Sequence, residues 1–93
     1  MKILAVCSVG VGSSMILAMT IEKACKELGV DAEVSNSDSS GARGADCDVI
    51  FTSEELKGEL EGTIHQPIYA IKRYMDLAEV KSALQEYLNE HHQ

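Results

Sequence analysis

Apolar positions along the chain fall into two alternating rhythms. Ile3-Leu4-Ala5-Val6-Cys7 is a short, continuously apolar run, as expected of a central parallel strand buried on both faces. Further on, Leu17, Ala18, Ile21, Ala24, Cys25 and Leu28 make one helical stripe, with Thr20, Glu22, Lys23, Lys26 and Glu27 facing away. Gly29 is the expected helix stop. Residues 31–35 alternate as a second strand, and residues 35–44 read as a polar loop or irregular helical turn. Residues 48–52 form a third strand. Thr52-Ser53-Glu54-Glu55 then makes a capping-box arrangement for a short helix through Leu60. Residues 67–71 form a fourth strand, with Pro67 tolerated at its first position on a sheet edge. Asp76 with Glu79 caps a last helix, whose face is Leu77, Val80, Leu84, Tyr87 and Leu88.

The order is βαβ(loop)βαβα, with no internal repeat and no linker, so residues 1–93 are expected to form a single domain. Right-handed crossovers turn this order into a small doubly wound α/β fold. Its four-stranded parallel sheet has order 2-1-3-4, with helices on both faces. Ligands of such sheets gather at the carboxyl ends of the strands, where strand order reverses. Strand 1 lies at that reversal, and its carboxyl end is Cys7.

Composition narrows the partners. The net charge of −7 leaves no basic footprint for nucleic acid. The apolar runs are far shorter than the roughly 20 residues of a membrane span, and the start carries no cleavable signal pattern, so a cytoplasmic protein is expected. Cys7, Cys25 and Cys47 are an odd set without a C-x-x-C pair, which argues against a disulfide scaffold, a zinc knuckle or a thioredoxin-type motif. The helical stripe makes Cys25 a packing residue. No metal-ligand cluster stands out, and no cofactor is implied.

The segment Cys7-Ser8-Val9-Gly10-Val11-Gly12-Ser13-Ser14 carries the candidate chemistry. At the mouth of the crevice the Cys7 sulfur is expected to reach solvent. Gly10 and Gly12 let the backbone fold tightly around a small group. The loop amides and the following helix N-terminus then converge into a nest for a phosphate-sized dianion. Ser13 and Ser14 add hydroxyls, and one of them is expected to N-cap the helix. A dinucleotide fingerprint fails because Met15 stands where its third glycine belongs, and a P-loop fails for want of a lysine. A low-molecular-weight tyrosine phosphatase shares the strand-cysteine-loop-helix geometry, but its C-x5-R pattern would need arginine at Ser13. Hydrolysis is disfavoured without that guanidinium. Holding a phosphoryl group on sulfur is not.

The Cys-x-x-Gly-x-Gly-Ser-Ser-Met loop and the β-α pairs after it resemble the enzyme IIB component (EIIB) of the bacterial phosphoenolpyruvate-dependent sugar phosphotransferase system (PTS). The similarity is to the lactose/ascorbate-type IIB superfamily, ascorbate-like branch. It runs over essentially the full length, with Cys7, Gly10, Gly12, Ser13, Ser14 and Met15 matching. It implies a topology like that of the low-molecular-weight tyrosine phosphatases. It also implies that Cys7 is a phosphocysteine, receiving phosphate from a phosphohistidine on an EIIA partner. The phosphate would pass to a sugar bound by a membrane EIIC transporter, which recruits the subunit to the inner face of the membrane. Alternatives are a stand-alone regulatory IIB-like module and a phosphatase-like enzyme. Met15 and Met19, one turn apart and off the main stripe, are either peripheral core or a docking rim for the two partners. His65, His91 and His92 lie away from any strand end with a glycine loop and are not carrier candidates.

Overall fold

A computed structural model of the chain describes residues 1–7 and 11–90, with the Val11 side chain also left aside. Eight elements alternate along it: β1 Lys2–Val6, α1 Val11–Leu28, β2 Glu33–Ser37, α2 Ser39–Ala42, β3 Val49–Thr52, α3 Glu54–Leu60, β4 Ile68–Ala70 and α4 Leu77–Glu90. The strands form one parallel sheet in the expected order β2-β1-β3-β4. β1 pairs on both sides, Leu4 lying between Ser35 of β2 and Ile50 of β3.

The pleat sorts the core into two layers. Ile3, Ala5, Val49 and Phe51 point to one face, where they pack with Leu17, Ile21, Ala24 and Cys25 of α1 and Val80, Leu84 and Tyr87 of α4. Leu4, Val6 and Ile50 point to the other, against Ala42 of α2 and Leu56 and Leu60 of α3. Fully burying each such aliphatic side chain is worth about 1.5–3 kcal/mol. Between the long helices, Lys81 donates to Glu27 at 2.9 Å.

Gly29 ends α1 as its spacing predicts, at φ 70°. The Val30 amide donates to the Cys25 carbonyl at 2.8 Å and the Gly29 amide to Lys26 at 3.3 Å, which is a Schellman closure.

Several local expectations are corrected. β2 runs Glu33–Ser37 rather than over residues 31–35, because its ladder with β1 starts at Lys2 opposite Glu33 and reaches Val6 opposite Ser37. The polar stretch beyond is partly regular: Asp38 caps the four-residue α2, its carboxylate accepting the Gly41 amide at 2.8 Å. Ser53, not Thr52, caps α3, accepting the Leu56 amide at 3.2 Å. Thr52 stays in the strand, fully buried, and its hydroxyl donates to the Val6 carbonyl at 2.8 Å. α1 starts at Val11, so Ser13 and Ser14 lie inside the helix and neither is its cap. His91 and His92 fall outside the described residues.

Candidate active site

Cys7 directly follows β1, and its amide extends the pairing by donating to the Ser37 carbonyl at 3.3 Å. This puts its sulfur at the carboxyl edge of the sheet, where β1 is flanked by the ends of β2 and β3. A cleft of about 440 Å³ opens there, lined by Cys7, Ser53, Glu54, Glu55, Ile71, Lys72 and Tyr74. The sulfur does not reach solvent as expected: Cys7 is only 2% exposed. The cover includes the segment after β4, since the Cys7 thiol donates to the Tyr74 hydroxyl at 3.2 Å.

Sequence reasoning missed that segment. Ile71 is held by its amide donating to Thr52 at 2.7 Å. The amides of Lys72 and Arg73 donate to the two carboxylate oxygens of Glu79, at 2.6 and 3.0 Å. Asp76 caps α4 as expected, accepting the Glu79 amide at 3.1 Å. Glu79 does not reach back to Asp76 as a capping box would; its carboxylate fastens the preceding loop instead. Tyr74, presented by this loop, has its hydroxyl pushed up to about 12, chiefly by burial and then by Cys7, against a lowering hydrogen bond from Ser53. A signal for these residues existed: in a doubly wound sheet the ends of strands 3 and 4 face the same crevice as the end of strand 1.

Of the predicted phosphate loop, Ser8, Val9 and Gly10 lie outside the described residues. Val11 and Gly12 open α1, and Gly12 is helical rather than left-handed. No described atom stands within 4 Å of a Cβ built on it. Ser13 is half-buried, whereas Ser14 is buried and accepts the Asn36 side-chain amide at 3.2 Å, tying α1 to the end of β2. Met15 and Met19 are 53% and 55% exposed, so they do not fill the core. Ile16 beside them and Met75 on the Tyr74 loop are exposed as well.

The other cysteines stand apart. Cys25 is buried in the α1 core, and burial pushes its thiol up. Cys47 precedes β3, at the opposite end of the sheet from Cys7, and is likewise raised by burial.

Comparison with known proteins gives one answer. The model of the PTS lactose/cellobiose-specific IIB subunit family matches residues 2–86. A curated relative from Mycoplasma pneumoniae, an ascorbate-specific PTS EIIB component, is 32% identical over 95% of both chains. A protein of the same description from Salmonella typhimurium is 30% identical over 97% of this chain and 91% of its own. Among solved structures, a lactose-specific IIB component domain from Streptococcus pneumoniae covers 100% of this chain and 98% of its own, with TM-score 0.62 and 23% identity. At that identity the likeness speaks for the fold. With the family model spanning residues 2–86, the chain belongs to the PTS IIB family, whose members are phosphotransferase subunits working with an EIIA phosphodonor and a membrane EIIC transporter.

Proposed function

We propose that Cys7 is the phosphoryl carrier of this IIB subunit. The observation that supports this most is its place: the residue after the central strand, its sulfur lining the cleft, with α1 beginning at Val11. Cys25 and Cys47 have neither the cleft nor the helix N-terminus.

The relay runs in two in-line steps. The Cys7 thiolate attacks the phosphorus of phosphohistidine on EIIA. An S–P bond forms, the P–N bond breaks, and the imidazole nitrogen keeps the electron pair and takes up the proton that the Cys7 thiol gave up. A sugar hydroxyl held by EIIC then attacks the same phosphorus and gives its proton to a base beside the sugar, and the thiolate leaves. Amides of Ser8, Val9, Gly10, Val11, Gly12, Ser13 and Ser14 are the proposed cradle for the phosphoryl oxygens, aided by the α1 N-terminus. Met15 and Met19 offer an adaptable apolar surface for both partners. Among the described residues no helix is long and apolar enough to cross a membrane, which fits a subunit recruited to the cytoplasmic face through EIIC. The loop and the curated relatives support the ascorbate-like branch; EIIC, which binds the sugar, selects it.

The test is mass spectrometry after incubation with phosphoenolpyruvate, the general carriers and EIIA. Wild type, Cys25→Ala and Cys47→Ala should each gain one phosphoryl group, and Cys7→Ser none. Equal labelling of Cys7→Ser would overturn the assignment.

A further inference from the structure

The hydroxyl against the reacting sulfur belongs to neither the glycine loop nor α1. Tyr74 comes from the β4–α4 segment, 67 residues along the chain from Cys7, and its oxygen lies 3.2 Å from the sulfur. Behind it stands Ser53, which works against the larger rise that burial gives the Tyr74 hydroxyl and accepts the Leu56 amide at 3.2 Å. Ser53 thus takes the Leu56 N–H and stands behind the Tyr74 oxygen, which receives the S–H of the Cys7 thiol.

We propose that Tyr74 is the hydrogen-bond donor to the Cys7 sulfur in its charged state, and so sets the rate of phosphoryl transfer in both directions. The proposal rests on Cys7 being the carrier. In the resting thiol the proton lies on sulfur, and Cys7 donates to Tyr74. Once that proton is gone the sulfur only accepts, and the Tyr74 O–H turns to it. The tyrosine proton stays on oxygen throughout, because burial holds this hydroxyl protonated to about pH 12. In the forward step the sulfur carries negative charge until the S–P bond closes; in the reverse step the S–P electron pair returns to it. Both transition states thus hold charge on the atom that Tyr74 faces, where a fixed donor is worth most. The carboxylate of Glu79 is the positioning group, since it fastens the two amides just before Tyr74.

The experiment is rapid-quench transfer from radiolabelled phospho-EIIA to the subunit, and back from the phosphorylated subunit to unlabelled EIIA. Tyr74→Phe should keep a native amide spectrum and an unchanged half-saturation for EIIA. Both rate constants should fall about tenfold, as for one lost hydrogen bond to a charged group. Tyr74→His, which restores a ring N–H, should recover part of the rate. Rates for Tyr74→Phe within twofold of wild type would overturn the proposal, as would Tyr74→His no faster than Tyr74→Phe, which would point to ring packing. Cys7→Ser run in parallel separates the two readings. If it is dead while Tyr74→Phe is normal, this proposal alone fails; if it is labelled, the carrier assignment falls and this proposal with it.

Discussion

The carboxylate of Glu79 accepts the main-chain N–H of Lys72 at 2.6 Å, and its second oxygen accepts that of Arg73. Two orphan amides of a loop are thus satisfied by one anion in the first turn of α4, where the helix dipole also favours negative charge. Glu79→Ala should cost about 1.5–3 kcal/mol, the range for charged hydrogen bonds. Denaturant unfolding gives the cost, and amide exchange at Lys72 and Arg73 should quicken well beyond that of β1. Unchanged exchange at those two positions would mean the loop is held by other contacts.

A second prediction concerns high pH. Burial raises Cys25 above the ordinary thiol value of 9.0, raises Cys47 likewise, and lifts Tyr74 from 10.0 to about 12. Each group is raised in the folded state, so the unfolded chain loses its protons first. Its contribution is therefore complete below its unfolded value and is lost as pH climbs through the folded one. Stability should be level up to about pH 9, the ordinary thiol value, and fall steadily towards pH 12. Cys25→Ala should flatten the early part of that fall, as read by urea midpoints across the pH series.

The glycines make a third test. Gly29 needs its left-handed φ of 70°, so Gly29→Ala should destabilise by about 1 kcal/mol with no change in phosphoryl transfer. Gly12 is helical and no described atom stands within 4 Å of a Cβ on it, so Gly12→Ala should leave stability equal or raise it by up to about 1 kcal/mol. A Cβ on Gly41 would instead collide with the Ser37 hydroxyl, and Gly41→Ala should destabilise. Thermal midpoints should rank these variants in that sense, and a Gly12→Ala below Gly41→Ala would contradict the geometry.

Cys25 offers a fourth. It is 4% exposed among Leu17, Ile21 and Val80, so Cys25→Ser places a hydroxyl in an apolar layer. A loss of about 1–3 kcal/mol is expected, larger than for Cys25→Ala. Calorimetry on the pair measures the difference, and equal losses would mean the hydroxyl finds a partner.

The position of Cys7 was legible in the sequence because it follows from local rhythm and topology alone: an apolar run, a helical stripe and a right-handed crossover leave one order for the sheet. The α1 stripe was legible for the same reason. Its start was not, since Gly12, Ser13 and Ser14 are weak helix formers and read as loop until Asn36 is seen holding Ser14. Thr52 looked like a cap because its side chain suits one, yet the ladder claimed it for β3. Tyr74 went unread because nothing local marks a tyrosine in a polar turn; topology pointed to the segment after β4, and only the folded sheet shows its hydroxyl at a sulfur 67 positions away.

The two sheet faces differ in a way that bears on how the molecule breathes. On one side lie helices of 18 and 14 residues; on the other lie α2 and α3, of 4 and 7 residues, over a smaller apolar layer. Sub-global opening should therefore begin on the thin side, where the least apolar surface has to be wetted. α3 and its cap supply Ser53, Glu54 and Glu55 to the wall of the cleft, whereas Cys7 follows β1, buried from Ile3 to Val6. The fold thus joins a wall laid over the thinner apolar layer with a sulfur anchored to a strand paired on both sides.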